Sequence, residues 1–517
     1  MGAGEVVEGP REIELKLDLD SADAARVRAH KVLHARAGAA QDELLLSTYY
    51  DTPDFALRRA GVYLRVRDKG GRFIQTIKSA GSETELLERL EWEQELPGPA
   101  PDLAAAEGTA LAPLLTPEVR AALGPLFETR IRRSIRMAER EDATVEVAID
   151  EGEMVSGTRF APVSEVELEL KRGEPAALFQ LARKLGETVP LRVAVKTKAE
   201  RGFELVEGGG RLAEKARDLD IPPDASCAEA FRAIARNCLR QIIVNEPGTS
   251  AGQPEALHQM RIGLRRLRAA IALFEDIVAG DERDRIVEEL RWITGELGPA
   301  RELDVFAADV LPLLSEEHAD PEAVAATQRE FEERHAAAYA RARGSVRSDR
   351  FRGALLDLAE WVEVGAWAHD DDEDEDDDED ETRNDRPVKE LIKDELALLR
   401  KPIKRRGAKL ADLGVGALHK LRIRAKRLRY ATEFFAGTFA GDKARTRRAE
   451  SLAALKDLQD ALGGLNDLAT HKTLLGSGDA ESKDAQAWRK DPATKSLLAD
   501  AQDAYARFAK TKPFWKA

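Results

Sequence analysis

The stretch REIELKLDLD, residues 11–20, alternates charged and apolar side chains from Glu12 onward. Glu12, Glu14 and Lys16 share one parity, and the leucines and isoleucine between them share the other. A period of two is typical of a β-strand with one buried face. The charged face of such a strand lies either in water or in a polar cavity, where a ligand or opposite charges must offset the cost of burial.

Nearly every predicted strand in the first 205 residues repeats this division into an apolar face and an ionic face. The pattern predicts an α+β region with strands at 61–68, 72–78, 89–96, 143–150 and 163–172, and helices at about 21–37 and 175–187. The ionic faces carry both signs: Arg65, Arg67, Lys78, Glu91, Glu93, Glu95, Glu165, Glu167 and Glu169. Closing the sheet into a barrel would bring these faces together around a charged lumen, with the apolar faces outside under helices.

The two signs of charge indicate the chemistry of such a lumen. Arginine and lysine side chains that converge on one space suit an oligo-anion, and phosphates suit them best. Carboxylates in groups of three suit Mg²⁺ or Mn²⁺, which are hard ions that take oxygen ligands. Together these groups favour metal-assisted phosphoryl transfer or hydrolysis.

A family resemblance follows from a series of motifs in chain order: EIELK (12–16), YYDTPDFALRRAGVYLRVR (49–67), QTIK (75–78), RLEWE (89–93), PLFETRIRR (125–133), VEVAIDEG (145–152), SEVELELKRG (164–173) and KAERGF (198–203). Together they resemble the CYTH superfamily, the triphosphate tunnel metalloenzymes, and its bacterial inorganic-triphosphatase branch in particular. The resemblance implies an eight-stranded antiparallel β tunnel that hydrolyses a triphosphate with a divalent metal, Mg²⁺ or Mn²⁺.

The resemblance also implies roles for individual residues of this sequence. Metal ligands would be Glu12, Glu14, Glu165, Glu167 and Glu169, and catalytic residues would be Glu12, Glu14 and Lys16. The candidate substrate-binding residues are Arg65, Arg67, Lys78, Glu91, Glu93, Arg130, Arg133, Lys196, Lys198 and Arg201. The family pattern favours Arg133 over Arg130, which has the opposite parity, while Lys196 competes with Lys198.

The second half of the chain has helical spacing throughout and contains an internal repeat. LHQMRIGLRRLRAAIALF (257–274) and LHKLRIRAKRLRYATEFF (418–435) are offset by 161 residues. Each copy carries a histidine followed by cations at a spacing that lies on one helical face: His258, Arg261, Arg265 and Arg268, then His419, Arg422, Lys426 and Arg429. Like charges on one face repel, so a repeated basic stripe favours an anionic partner over a merely solvated surface. Neither histidine has a second histidine or cysteine four residues on, so phosphate is favoured over metal.

These repeats resemble the CHAD domain, the conserved-histidine α-helical domain. The resemblance spans about 225–510 and implies an all-α pair of pseudo-twofold four-helix bundles that bind inorganic polyphosphate and can associate with polyphosphate granules. It adds Arg266 and Arg427 to the polyphosphate-binding set. Glu302 departs from the family, in which aspartate commonly occupies that position. The expected organisation is a CYTH domain at 11–206, a linker at 207–224 and a CHAD domain at 225–510 with an acidic, disordered insert at 370–386.

Composition limits the remaining function classes. The chain has 517 residues and a net charge of −15, yet its second half is basic once the acidic run is set aside. Two cysteines, no signal peptide and no long apolar stretch indicate a cytoplasmic protein without membrane spans. The alternatives are an organic triphosphatase acting on thiamine triphosphate or a nucleotide, an ATP cyclase, and a non-catalytic polyphosphate-binding scaffold. A nucleic-acid partner is disfavoured, because aromatic residues are only 5% of the chain and none is interleaved with the basic stripes.

The run Asp370–Glu381 consists of twelve consecutive acidic residues between the two basic stripes. It is either a solvated linker or a tethered competitor of polyphosphate, since tethering gives an effective concentration of about millimolar. If it competes, its deletion should tighten polyphosphate binding at low salt, and the gain should shrink as ionic strength rises. The control moves the same twelve residues to the C-terminus, and unchanged affinity at low salt would identify a linker.

Overall fold

The computed structural model describes residues 11–33, 41–79, 87–209, 213–309, 321–368, 384–474 and 492–517. The acidic run Asp370–Glu381 lies outside these residues, so both interpretations of it stand. The chain divides into two compact units. The first contains Met1–Lys215, Leu239–Met260 and Ala342–Gly365, and the second contains Ala216–Cys238, Arg261–Arg341 and Ala366–Ala517.

The first unit is built on an antiparallel sheet whose strands close on themselves. The strands are β1 Arg11–Asp18, β2 Gln41–Asp51, β3 Val62–Lys69, β4 Arg72–Ser79, β5 Glu88–Leu96, β6 Gly124–Glu139, β7 Thr144–Ser156, β8 Arg159–Arg172 and the short β9 Arg192–Val193. Their order is β5-β4-β3-β2-β6-β7-β8-β1-β9, and β1 also pairs with β5. Strands β1 to β8 therefore form a closed barrel, which confirms the predicted eight-stranded architecture.

Two of these strands, β2 and β6, were not among the strands predicted from alternation. In β6 the run Arg130, Arg132 and Arg133 breaks the period of two. In β2 three consecutive leucines, 44–46, have the same effect. Both strands extend along each other for almost their whole length, from the pair Gln41 and Ile135 onward. Their conformation therefore depends on partner strands that are distant in sequence.

The helix predicted at 21–37 is shorter in the structure. It consists of a 3₁₀ turn at Ser21–Asp23, helix α1 at Ala24–Arg28 and a second 3₁₀ turn at Lys31–Leu33, while residues 34–37 lie outside the described part of the chain. Val27 and Leu33 are both buried. In one continuous helix these two side chains would point about 120° apart, and the break allows both to reach the core.

The outer apolar faces of the barrel lie under helices and loops, as the sequence predicts. Helices α2 and α3 span Ala56–Arg59 and Pro117–Ala122, and α4 and α5 span Ala176–Gly186 and Lys198–Val206. Helix α4 packs on β8 and β1 through buried leucines and a phenylalanine. Leu57 of α2 joins Val62, Leu64 and Ile77 in a cluster that the loop residues Ala106 and Leu111 cover.

The inner face of the barrel is apolar at one end, where helix α5 covers it. Leu45, Ile131, Met154 and Val163 have the same parity as the charged inner residues of their strands, and they pack with Leu205 of α5. Phe203 of the same helix packs against Phe127, with ring centroids 5.3 Å apart. Helix α5 therefore belongs to the wall of the lumen rather than to the outer layer.

Beyond the barrel, the secondary-structure elements in the described part of the chain are helices. The helices are α6 Cys227–Ile243, α7 Glu246–Ser250, α8 Pro254–Leu273, α9 Asp281–Asp309, α10 Pro321–Val346, α11 Asp349–Val364, α12 Val388–Gly407, α13 Val415–Phe434, α14 Asp442–Leu474 and α15 Pro492–Lys510. Three pairs of helices, α6 with α12, α8 with α13 and α9 with α14, begin 161 residues apart. The all-α class is confirmed, and the internal repeat extends well beyond the basic stripe.

The apolar stripe beside the basic stripe is buried in both copies of the repeat. Leu257, Met260, Leu264 and Leu267 are fully buried in α8, and Leu418, Leu421, Ala425 and Leu428 are buried in α13. Each repeated helix thus packs along one stripe and presents cations along the next. In the described part of the chain, no helix combines the length and hydrophobicity needed to cross a membrane.

The contact between α5 and the barrel can be tested at Gly202. A Cβ atom at this position would lie 2.0 Å from Phe127 Cε2, so a side chain here forces the ring or the helix to move. We expect Gly202→Ala to destabilise the protein by about 1–3 kcal/mol, the usual cost of overpacking a core. Thermal unfolding of the full chain measures this. The control is Gly186→Ala at the end of α4, where an added Cβ meets no atom within 4 Å; equal midpoints for both variants would contradict the packing.

Candidate active site and basic helical stripes

The strand register places the ionic residues of neighbouring strands side by side on the inner face. Lys16 of β1 lies opposite Glu167 of β8. Asp150 of β7 lies opposite Arg133 of β6 on one side and opposite Glu165 of β8 on the other. Pairing of β6, β7, β8 and β1 therefore brings residues of four strands into one cluster.

Three buried carboxylates, Asp150, Glu165 and Glu167, form the centre of this cluster and are called the acidic triad below. Each offers an oxygen atom, and these atoms all lie within 4.8 Å of one another. Lys16 Nζ lies 2.5 Å from Glu167 Oε1. Arg133 donates two hydrogen bonds of 2.7 Å to Asp150 and one of 2.5 Å to Glu167. Oxygen donors at this spacing fit the ligand preference of Mg²⁺ or Mn²⁺.

Helix α5 supplies two further cations to the acidic triad. Lys198 Nζ lies 2.7 Å from Asp150 Oδ2 and 3.0 Å from Glu167 Oε1, and it also pairs with Glu165. Arg201, in the next turn, donates a hydrogen bond of 3.2 Å to Glu165 Oε2. Lys198 is the first residue of the helix, so the position of the α5 N-terminus decides whether these cations reach the triad.

The charges of the triad are strongly coupled. Burial would raise the pKa of Glu167, but Lys16, Lys198 and Arg133 outweigh burial and hold the pKa well below its usual value. Burial raises the pKa of Glu165, and Lys198 counters this only in part. The pKa of Lys198 is raised because Asp150, Glu165 and Glu167 outweigh its burial. Lys198 and Glu167 therefore stay ionised at neutral pH.

A second ionic group lies on the same face around Glu12 and Glu91. Burial and the charge of Glu91 raise the pKa of Glu12 to about 7. Despite its burial, Glu91 has a pKa of about 2, because Lys78 and Arg65 stabilise its ionised form. Arg65 NH2 donates to Glu91 Oε1 at 3.1 Å, and Lys78 pairs with the other oxygen. This group contains two of the predicted anion-binding cations, both held by a carboxylate.

Arg67 is a half-buried cation that contacts no carboxylate within the described part of the chain. Its Nε donates a weak hydrogen bond of 3.4 Å to Ser47 Oγ. Burial and the neighbouring charges of Arg65 and Arg133 lower its pKa to about 10. An arginine in this position is poorly compensated by the protein itself, and an anion in the lumen would compensate it.

The remaining predicted residues, Glu14, Glu169 and Glu93, form contacts with residues outside the triad. Glu14 and Lys16 are paired at 3.1 Å. Glu169 pairs with Lys171 near Glu12. Glu93 is half exposed, accepts a hydrogen bond of 3.1 Å from Thr76 and lies 3.9 Å from Arg65.

The structure distinguishes the two pairs of competing cations. Arg133 reaches the triad, whereas Arg130 is exposed on the outer face and pairs with Glu128 and Glu153. Adjacent parities in one strand point to opposite faces, which explains this difference. Lys198 reaches the triad, whereas Lys196 pairs with Glu204 and Glu214. Arg130 and Lys196 are therefore outside the candidate active site.

Asp150 is the member of the triad that the sequence patterns did not identify. It is fully buried and contacts both Arg133 and Lys198. No alternating series of acids marks it, because its strand carries valine, alanine and isoleucine before it. The available signal was its position at the end of an apolar strand within the motif VEVAIDEG.

The basic stripes of the repeated helices contain cations without matching acids. Several of these arginines have a buried Nε atom that donates to no hydrogen-bond acceptor among the described residues, including Arg261, Arg265, Arg266 and Arg422. Burial, followed by the charge of Arg265, lowers the pKa of Arg261 to about 10. Burial and the charges of Arg291 and Arg427 lower the pKa of Arg268, so a cation of one repeat lies near a cation of the other.

The other members of the stripes have mixed surroundings. Arg429 lies 3.5 Å from Glu433 and its guanidinium stacks over Tyr430. Arg266 stacks over Phe434, 5.2 Å from the ring centroid. His258 is half-buried in α8, whereas His419 is exposed in α13. Within the described residues the acidic triad is the one cluster of potential metal ligands, and neither histidine belongs to it.

Comparison with known proteins shows that the regions containing these two sites match two domain families. Residues 10–203 match the CYTH domain and residues 233–476 match the CHAD domain. The chain is 29% identical over 167 residues to an inorganic triphosphatase of Haemophilus influenzae, a match that covers 32% of this chain and 47% of the relative. The chain thus spans about half the length of that curated relative.

Two solved structures are similar to parts of the chain. The CHAD domain from the plant Ricinus communis is 29% identical, with a TM-score of 0.46, and the match covers 59% of this chain and 99% of that one. A putative adenylyl cyclase from Hippeastrum, described as revealing a dominant triphosphatase activity, is 17% identical, with a TM-score of 0.30, covering 39% and 97% respectively. The two family matches lie on the barrel and on the repeated helices, and so the chain is a CYTH–CHAD protein, with an N-terminal CYTH domain followed by a CHAD domain.

Proposed function

We propose that the CYTH domain hydrolyses inorganic triphosphate and short polyphosphate in a metal-dependent reaction, and that the CHAD domain binds inorganic polyphosphate. The observation that carries the first part is the inner face of the barrel, which combines a buried acidic triad with converging cations, of which Arg67 has no acid partner among the described residues. Arg67 supports it most directly, because a half-buried arginine beside Arg65 and Arg133 suits a highly charged anion. The similarity to an inorganic triphosphatase supports the same activity.

The residues of the lumen divide into two tasks. Asp150, Glu165 and Glu167 fit a divalent cation, and they would hold it through carboxylate oxygens. When bound, such a metal supplies Lewis-acid stabilisation of the phosphoryl oxygens and lowers the pKa of a coordinated water. Lys16, Lys198 and Arg133 contact the same carboxylates, so they lie where phosphate oxygens beside the metal would be neutralised.

An inorganic substrate is favoured over an organic triphosphate by the apolar end of the lumen. Tyr49 and Phe127 stack on each other there, with ring centroids 4.5 Å apart, and Phe203 of α5 packs against Phe127. Tyr49 and Phe127 are buried by these contacts. Neither ring therefore has a face open to stack on a nucleotide base or a thiazole ring. Thiamine triphosphate or a nucleotide remains the second candidate for the substrate panel below.

The tunnel proposal predicts that Glu14→Gln and Glu167→Gln each lose most metal-dependent hydrolysis. Loss of an inner carboxylate should cost several kcal/mol of transition-state stabilisation, or about 100-fold or more in kcat/KM. Phosphate release is measured from tripolyphosphate, ATP, thiamine triphosphate and long-chain polyphosphate, with and without Mg²⁺.

The matched control for these variants is Glu153→Gln, which removes a half-exposed carboxylate paired with Arg130 on the outer face. It should retain the activity of the unmodified chain. Near-normal turnover in both inner variants would overturn the assignment of the lumen as the active site. Turnover of an organic triphosphate with none of tripolyphosphate would replace the proposed substrate and leave the site in place.

The CHAD proposal rests on the mutual repulsion of the stripe cations. Arg261 and Arg268 both have lowered pKa values, because burial and neighbouring arginines disfavour their charged forms. A polyanion would relieve this repulsion along both stripes at once. A repeating phosphate chain supplies such charge at high density without bases that need aromatic partners. Association with polyphosphate granules is the corresponding expectation in the cell.

We expect the double variant Arg265→Ala, Lys426→Ala to weaken binding of long-chain polyphosphate by the full chain at least about tenfold, since hydrogen bonds to charged groups are the strong ones. Binding should also fall steeply with salt, because a condensed polyanion releases counterions. Titration calorimetry or polarisation at several salt concentrations measures both effects.

The control for this experiment removes the same charge elsewhere. Lys443→Ala with Arg445→Ala takes two exposed cations from the start of α14, away from the stripes. Equal loss in both double variants would mean that only net charge matters. A preference for DNA over polyphosphate at matched charge would contradict the proposed ligand.

A further inference from the structure

The N-terminus of helix α5 is held by a capping box. The Thr197 side chain accepts a hydrogen bond of 3.0 Å from the Glu200 N–H, and the Thr197 N–H donates one of 2.8 Å to Glu200 Oε2. This arrangement fixes the first turn of the helix. The same turn carries Lys198, and Arg201 follows it, so the box lies directly behind both cations that α5 sends to the acidic triad.

Arg240 of helix α6 holds the same capping box from the other side. Its NH2 donates to Glu200 Oε1 at 2.7 Å, and its NH1 donates to the carbonyl oxygen of Val195 at 3.0 Å. Glu200 therefore uses one oxygen for its own helix and the other for Arg240. Both side chains are only 14% exposed, so the pair is shielded from the solvent screening that weakens surface ion pairs.

Arg240 belongs to the CHAD part of the chain, while the helix it holds belongs to the CYTH part. The CHAD match covers 233–476 and the CYTH match ends at 203. Residues 1–215 and 239–260 nevertheless form one compact unit. Asn245, just after α6, exchanges side-chain hydrogen bonds of 2.8 and 2.9 Å with the backbone of Glu214, which lies between the two matched regions. Helix α6 thus contacts the first turn of α5 through Arg240.

We propose that Arg240 is a positioning residue for the tunnel site, through which the CHAD domain sets the place of Lys198 and Arg201 in the lumen. The proposal rests on the function proposed above for the tunnel. Arg240 touches neither the triad nor a substrate, so its effect passes through Glu200 and the first turn of α5. Displacement of a positioned group by about 1 Å is enough to cost about 100-fold in rate, even when the change is remote from the chemistry.

A general loosening of the first unit would be a different explanation, and the chain offers a control for it. Arg183 of α4 donates to Asp357 at 2.8 Å and also pairs with Glu360, both in α11. This contact joins the same two parts of the chain but involves no residue of α5. Arg183→Gln therefore removes an ion pair of the same kind without touching the capping box.

The experiment uses the full chain and two readouts. Hydrogen exchange of the α5 amides, residues 199–206, reports whether the first turn is held, and calorimetry with tripolyphosphate in the absence of metal reports whether the cations are in place. In Arg240→Gln we expect α5 amide exchange at least about tenfold faster and tripolyphosphate binding at least about tenfold weaker, because a shielded charged hydrogen bond is lost. The kcat/KM for tripolyphosphate hydrolysis should fall, with a smaller change in kcat.

Further variants separate positioning from simple stability. Glu200→Gln keeps the capping box, since glutamine serves at this position, but loses the charge pair, and it should reproduce Arg240→Gln. The double variant should be no worse than either single one if both act through one contact. Arg240→Lys should restore part of the protection of α5, because lysine can still pair with Glu200.

The proposal is overturned if Arg240→Gln leaves α5 exchange and tripolyphosphate binding unchanged, or if Arg183→Gln alters both as strongly. It is also overturned if the effects of Arg240→Gln and Glu200→Gln add in the double variant. Failure of the tunnel function has a separate signature, which is absence of tripolyphosphate binding and hydrolysis in the unmodified chain. In that case α5 exchange still decides whether Arg240 holds the helix.

Discussion

The burial of three carboxylates in one lumen is the constraint on which the first domain depends. Asp150, Glu165 and Glu167 are close enough to repel one another strongly, and each is shielded from water. Cations from β1, β6 and α5 surround them and hold the pKa values of Asp150 and Glu167 below their usual range despite burial. Since buried charges are costly unless paired, the barrel, its register and helix α5 must all be in place before the cluster is stable. Under the proposed function, the same cations and acids would bind a triphosphate together with its metal.

Helix α5 links packing to chemistry in this domain. Its apolar side fills one end of the lumen through Phe203 and Leu205, and its first turn carries Lys198 to the triad. Because the helix is anchored by both contacts, the apolar end of the lumen and the ionic centre cannot shift independently. The contact of Arg240 with Glu200 extends this anchoring into the helical part of the chain. The CYTH and CHAD parts of the chain are therefore physically connected at helix α5.

The two modules handle like charges in opposite ways. On the inner face of the barrel, acids and bases of neighbouring strands largely compensate one another, although Arg67 has no carboxylate partner among the described residues. In the repeated helices, Arg261 and Arg268 lie among other arginines, and burial adds to the repulsion. The first arrangement suits a small substrate that enters a mostly neutralised site with a metal. The second suits a long polyanion that supplies the missing negative charge itself.

Local periodicity by itself determined which side chains share a face. Alternation in REIELKLDLD and in SEVELELKRG separated ionic from apolar residues, and the spacing in the two repeats separated the basic stripe from the buried one, because strand and helix geometry follow from the backbone alone. What the sequence could not determine was which strands meet. Asp150 has Ala148 and Gly152, not acids, as its nearest neighbours on the same face of its strand, so only pairing with β6 and β8 brings it to Arg133 and Glu165. The choice of Arg133 over Arg130, and of Lys198 over Lys196, was likewise decided by tertiary structure, since closure of the barrel and the docking of α5 select the inner face through contacts between residues far apart in the chain.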